Sequence, residues 1–306
     1  MSPSMLKKLR VQNFRCLKDV TIDFEPLTVL VGANGSGKSS LLKTLNFSGV
    51  GLADIWQHRA DLRVTLRMEF DNGGPFEAAA SQNQGFGRRI DTQLLQLDVT
   101  HLRQPNLLNE ERRLAQAGIN LTNTFATLPR KTQSEIAREF ASLVPSFTDV
   151  FARPLQSGQH RLVFQDRWND QIWYEPSEVS DGTVLVLTFL TLRHQSPLPD
   201  LLAIEEPERG LHPYLLGQIV STLRKIARGE LGGKPLQVVL ATHSGDLLNH
   251  MQPEEVRFFN RRKEDGSVVV EKVPLDSPNW RDTFREYDDS LRNVWLSGGL
   301  GGVPGN

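Results

Sequence analysis

The sequence predicts an α/β fold with a small N-terminal side sheet and an inserted helical segment, on three observations. A short apolar run, Leu27-Thr-Val-Leu-Val31, leads into a glycine-rich loop and then into the helical spacing of Ser40 to Leu45. Two more apolar runs, Leu201 to Ile204 and Gln237 to Thr242, stop abruptly at Glu205-Glu206 and at His243. Finally, Leu62 to Phe70 alternates strictly, with Leu62, Val64, Leu66, Met68 and Phe70 on one side and Arg63, Thr65, Arg67 and Glu69 on the other. That is the period of a half-buried strand.

The loop Gly32-Ala33-Asn34-Gly35-Ser36-Gly37-Lys38-Ser39 fits the phosphate-loop pattern G-x-x-x-x-G-K-[ST] at every fixed position, in the strand-loop-helix setting the pattern requires. Glycines let successive backbone N–H groups turn onto one anion. The following helix, with Ser40 in its first turn, presents its free N–H groups and positive dipole end to the same charge. Lys38 is expected to neutralise the β- and γ-phosphates of ATP, and the Ser39 hydroxyl to take one position on Mg²⁺.

The strand ending at Glu205-Glu206 supplies what a magnesium-nucleotide site needs: one carboxylate for the metal and a second to orient and polarise the attacking water. Paired acids also open solvated loops, so the assignment leans on the phosphate loop that accompanies it. His243, at the end of the other strand, is a candidate for reaching the γ-phosphate, or else a satisfied interior histidine.

Upstream of the loop, Leu6 to Phe14 and Val20 to Phe24 read as two strands around Arg15-Cys-Leu-Lys-Asp19, with Pro26 as the break. In that arrangement Asn13-Phe14-Arg15 lies near the nucleotide and Arg15 is a candidate phosphate contact. Lys7 and Lys8 serve equally well as charges on a solvated edge strand. Residues 1–77 thus form a first lobe with the phosphate loop, and 177–306 a second. Between them, 78–176 is an inserted, mostly helical lid with helical patterns in Glu110 to Leu128 and Gln133 to Leu143. The lid is too short, and too poor in heptads, for a long coiled-coil arm. Its basic pairs, Arg88-Arg89 and Arg112-Arg113, read as solvated faces.

Composition narrows the classes. At 306 residues, 39% hydrophobic and 23% charged, the chain is long enough for one large domain or two smaller ones. A formal charge of −1 gives no whole-protein cationic field, so any DNA contact would need a local patch or a partner. The single cysteine, Cys16, rules out an internal disulfide and suits a reducing cytoplasm. The apolar run Val184 to Leu192 is too short to cross a bilayer, and Met1 to Met5 lacks the apolar stretch of a signal peptide. A cytoplasmic protein without a membrane partner is expected.

Phosphate loop, acid pair and strand-terminal histidine in this order resemble the ATP-binding-cassette ATPases, and among them the branch of SMC, RecF and OLD-type proteins. Asn13-Phe14-Arg15, Gly32 to Ser39, Ser180-Asp181-Gly182, Ile204-Glu-Glu-Pro-Glu208 with Leu211-His-Pro213, and Thr242-His243-Ser244 carry the resemblance. It implies a cassette-type head with a mixed or parallel central sheet, Glu206 and His243 as catalytic groups, and Glu205 on the metal side. The wider family usually has aspartate where Glu205 stands, so this chain departs from it by one methylene on the metal side.

Two segments compete for the family's signature loop. Leu296-Ser-Gly-Gly299 leads into a glycine-rich tail, whereas Val179-Ser180-Asp181-Gly182-Thr183 opens an apolar helical segment 25 positions before Glu205. The second is expected to be the signature, which in the family binds ATP held by another subunit. A head-to-tail homodimer around two ATP molecules follows from the resemblance. The 63 residues after His243 are too few for the TOPRIM nuclease that OLD-type proteins carry there, so a separately encoded effector, such as a nuclease, is expected. The function implied is ATP hydrolysis in DNA maintenance or phage defence. An ATP-sensing scaffold with negligible turnover and a transporter's nucleotide-binding subunit stand as alternatives.

Overall fold

A computed structural model describes residues 5–46, 50–83, 90–230 and 234–298, so Arg88-Arg89 and Gly299 lie outside the described residues. The chain begins with β1 (Leu6–Phe14), β2 (Leu17–Asp23) and β3 (Leu27–Val31), then α1 (Lys38–Leu45), β4 (Val64–Phe70), β5 (Phe76–Ala80) and β6 (Thr92–Leu95). It continues with α2 (Val99–Leu102), β7 (Asn106–Leu107), α3 (Leu121–Thr127), α4 (Arg130–Leu143), β8 (Phe147–Pro154), β9 (Gln159–Asp166), β10 (Trp173–Tyr174) and α5 (Asp181–Leu192). The last stretch holds β11 (Leu201–Glu205), α6 (Pro213–Ala227), β12 (Gln237–Thr242), α7 (Gly245–Leu248), β13 (Val256–Arg261), β14 (Val268–Lys272), α8 (Trp280–Glu286) and α9 (Leu291–Leu296). Two compact units result, one of residues 1–94, 199–207 and 223–306, the other of 95–198 and 208–222.

The first unit holds two sheets. An antiparallel side sheet runs β2-β1-β4-β5, and a six-stranded mixed sheet runs β14-β13-β3-β12-β11-β6. β1 and β2 are closed by the two-residue turn Arg15-Cys16, with Phe14 paired to Leu17, so β2 starts earlier than its alternating run suggests. Flanked by β2 and β4, β1 is an inner strand rather than an edge one, and Lys8 on it reaches Asp23 at 3.6 Å. The alternation in β4 holds: Val64, Leu66 and Met68 are buried and Arg67 is exposed. Leu9, Val11, Phe14 and Leu66 share one core with Leu41, Leu45, Ala203 and Val239, which fixes the side sheet and α1 to the mixed sheet. Gln237, buried at the start of β12, adds a polar tie by accepting from Leu6 N at 3.0 Å and donating to Leu6 O at 2.8 Å.

In the mixed sheet β11, β12, β3 and β13 are successive parallel neighbours, pairing Glu205 with Ala241 and Thr242 with Val31. Their carboxyl ends therefore finish along one edge, the place where open α/β sheets bind ligands.

The second unit departs from the expectation of a mostly helical lid. Its helices α3 and α4 accompany an antiparallel sheet in which β9 pairs with β8, β10 and β7. A bulge between Phe147 and Asp149 puts Phe147, Val150 and Ala152 on the buried face, which breaks the simple alternation that would have revealed the strand. Phe140 of α4 packs on this sheet, its ring 6.1 Å from Phe147 and 5.6 Å from Phe164. The helical pattern expected from Glu110 is confined to α3. Gly118 takes a left-handed φ of 83°, and Asn120 bonds to Ala115 N and Arg113 O rather than continuing a helix. α5 is buried from Gly182 to Leu192, and its interior hydroxyls on Thr188 and Thr191 each donate at 2.8 Å to the carbonyl four residues back. Among the described residues no helix is long and apolar enough to cross a membrane.

Candidate functional site

The phosphate loop begins where β3 ends. Ser36 N closes a turn onto Ala33 O at 3.1 Å, and Gly35 and Gly37 take φ of 76° and 108°, a region that strains other residues. Space reinforces the requirement. A Cβ on Gly32 would lie 2.5 Å from Phe259 O, and one on Gly37 would lie 2.7 Å from Val268 Cγ2 and 3.1 Å from Cys16 Sγ. β13, β14 and the β1–β2 turn thus press the loop from outside.

Lys38, only 9% exposed, folds its Nζ back over the loop and donates to Gly32 O at 2.7 Å and Ala33 O at 2.9 Å. The ammonium is thereby held over the glycine-rich backbone that would cradle phosphate. Ser39, the second residue of α1, is exposed.

The acid pair comes to the same sheet edge. β11 ends at Glu205, and Glu206 N donates to Ala241 O at 2.8 Å while its own backbone turns left-handed, with φ of 48°. A non-glycine residue there is strained, and strain of this kind concentrates at functional sites. His243 Nδ1 lies 3.0 Å from Glu206 Oε1, and the two side chains are 46% and 38% exposed, so His243 is not an interior histidine.

Asn34 to Ser40, Glu205, Glu206, Ala241, Cys16 and Arg261 line one cavity of about 230 Å³. Arg261 is a group that sequence reading missed. From the end of β13 its Nε and Nη2 donate to Gly35 O at 2.9 and 2.8 Å, and its Nη1 donates to Gly266 O. One guanidinium thus ties the phosphate loop to the β13–β14 hairpin. No motif marks a lone arginine at a strand end; the parallel pairing of β13 with β3 is what brings it to the loop. Arg15 is placed differently. Its guanidinium pairs with Asp54 at 2.7 Å, and it is the next residue, Cys16, that lines the cavity, with Sγ 3.6 Å from Ser40 Oγ.

Ser180-Asp181-Gly182 lies in the second unit. Ser180 caps α5, its Oγ accepting from Thr183 N at 3.2 Å, and both Ser180 and Asp181 are exposed while Gly182 is buried. A Cβ on Gly182 would approach Gly210 O to 3.2 Å, so the glycine lets α5 start against the segment after β11. Ser297 sits at the opposite kind of helix end, the carboxyl terminus of α9, with its Oγ donating to Val294 O.

Residues 76–249, more than half of the chain, match the family described as AAA domain, putative AbiEii toxin, Type IV TA system, and residues 5–51 match the AAA ATPase domain. An OLD nuclease of Thermus scotoductus is 42% identical over 60 residues, 20% of this chain and 11% of that protein. The phosphate import ATP-binding protein PstB 1 of Streptococcus pyogenes is 30% identical over 94 residues, 25% of this chain and 37% of that protein. The chain therefore spans well under two thirds of the length of these relatives. In fold it is similar to an SMC head bound to the C-winged helix domain of ScpA, with TM-score 0.59 and 16% identity over 89% of this chain and 98% of that one. The SMC head of Thermotoga maritima gives TM-score 0.51 and 15% identity over 89% and 99%. The chain belongs to the family of AAA domains described as putative AbiEii toxin, Type IV TA system, and it has the fold of the SMC heads.

Proposed function

We propose that this protein binds and hydrolyses ATP, and that ATP draws two copies together head to tail in a switch that controls a separate effector. The observation that carries the turnover is the Glu206–His243 pair, 3.0 Å apart at the edge of the sheet, with Glu206 lining the same cavity as the phosphate loop. Lys38 and the loop N–H groups bind and neutralise phosphate. Glu206 orients the attacking water and takes its proton on a carboxylate oxygen, and His243 holds that carboxylate in place. Arg261 keeps the loop in shape. Ser39 and Glu205 line the same cavity and offer the hard oxygen donors that suit Mg²⁺, so these two would hold it. When bound, the ion supplies charge stabilisation at the β- and γ-phosphates.

Ser180 of a partner subunit would complete the site by aiming the start of α5 at the γ-phosphate. The 60-residue match to an OLD nuclease favours a role in DNA maintenance or phage defence. Phosphate release from the purified protein tests the reading. Glu206→Gln should keep ATP binding and slow hydrolysis at least about 100-fold, as for loss of a general base. Unchanged release in that variant would remove Glu206 from its role, and no release from the unaltered protein would leave an ATP-sensing scaffold.

A further inference from the structure

We propose that Arg103 is a positioning residue for the signature loop, a clamp that holds Ser180 in the geometry it needs to meet ATP across a dimer. This rests on the reading of Ser180-Asp181-Gly182 as the signature. Arg103 stands at the end of α2, its side chain 19% exposed. Its guanidinium forks around Ser180: Nη1 donates to Val179 O at 3.1 Å and Nη2 to Asp181 Oδ1 at 2.5 Å. The residues on both sides of the serine are thus tied to one rigid plane. Ser180 Oγ itself is left to the helix cap and to Thr183 Oγ1 at 2.8 Å.

The bracket that carries Arg103 is itself fixed. Asp98 caps α2 by accepting from Thr100 N at 2.8 Å and His101 N at 3.3 Å, and these N–H groups hold its carboxyl below the usual carboxylate range. Leu102 is buried and packs so closely on Gly118 that a Cβ there would come within 2.3 Å of it. An exposed Asp181 with a freely moving partner would gain little from an ion pair. With Arg103 held at its base and bonded to a backbone carbonyl as well, the pair sets where the start of α5 points. A cavity of about 420 Å³ lined by Arg103, Gln104, Arg161, Glu175, Ser177 and Asp181 opens beside the clamp.

The test uses the full chain in the Glu206→Gln background with ATP, comparing Arg103→Ala, Arg103→Lys and Ser180→Arg. Sedimentation should show dimers at least about 10-fold weaker in Arg103→Ala, the size expected for loss of charge-assisted hydrogen bonds. Arg103→Lys keeps the charge but cannot make the fork, so it should weaken dimers as well. In both, a fluorescent ATP analogue should bind the monomer as before. With Glu206 intact, turnover should return as protein concentration is raised, which a misfolded variant would not do. Dimers lost in Ser180→Arg but fully retained in both Arg103 variants would overturn the clamp and leave the signature reading standing. Dimers retained in Ser180→Arg would overturn both.

Discussion

Lys38→Ala should bind ATP at least about 100-fold more weakly than the unaltered protein and release no measurable phosphate, a loss on the order of 3 kcal/mol or more. The Lys38 side chain folds over the loop, and its bonds to Gly32 O and Ala33 O fix its ammonium in a mostly buried position where solvent screens little. Arg261, which also lines the cavity, cannot replace it, because its fork is already committed to Gly35 O and Gly266 O. Calorimetric titration with ATP reads the effect directly. Thermal unfolding gives a second view, since ligand-induced stabilisation vanishes when the affinity does. Affinity equal to that of the unaltered chain would mean that the nucleotide binds elsewhere.

Ser180→Arg should abolish ATP-dependent dimers and turnover while each monomer still binds nucleotide, whereas Ser297→Arg should do neither. The difference lies in the helix ends. Ser180 opens the 12-residue α5, whose first N–H groups and positive dipole end suit an anion. Ser297 closes α9 at its negative end, where a phosphate would be repelled. Light scattering in the Glu206→Gln background separates them. Dimers that persist with Ser180→Arg and vanish with Ser297→Arg would reverse the assignment.

How legible the molecule was depended on how local each signal is. The phosphate loop, β4 and the buried strands β3, β11 and β12 were readable because a glycine pattern, a two-residue period and continuous apolar runs are written within a few consecutive residues. The sheet of the second unit was not, because the bulge at Phe147–Asp149 shifts the period in β8 and Leu162-Val-Phe164 in β9 is buried without alternation. Arg261 and Arg103 were missed for a different reason. Each acts on residues far along the chain, Gly35 and Asp181, and nothing near either arginine announces that contact.

The left-handed backbone at Glu206 has a consequence for how this protein would respond to selection in the laboratory. At an ordinary site alanine is more stable than glycine, because glycine gives up more chain entropy on folding. At a φ of 48° the order should invert: Glu206→Gly escapes a strain of roughly 1–2 kcal/mol that Glu206→Ala retains, and should unfold at the higher temperature of the two. A library sorted on heat resistance alone would therefore be drawn toward a chain that folds well and hydrolyses nothing. At this position robustness and chemistry pull in opposite directions, so a thermostable variant is useful only if the screen that finds it also measures phosphate.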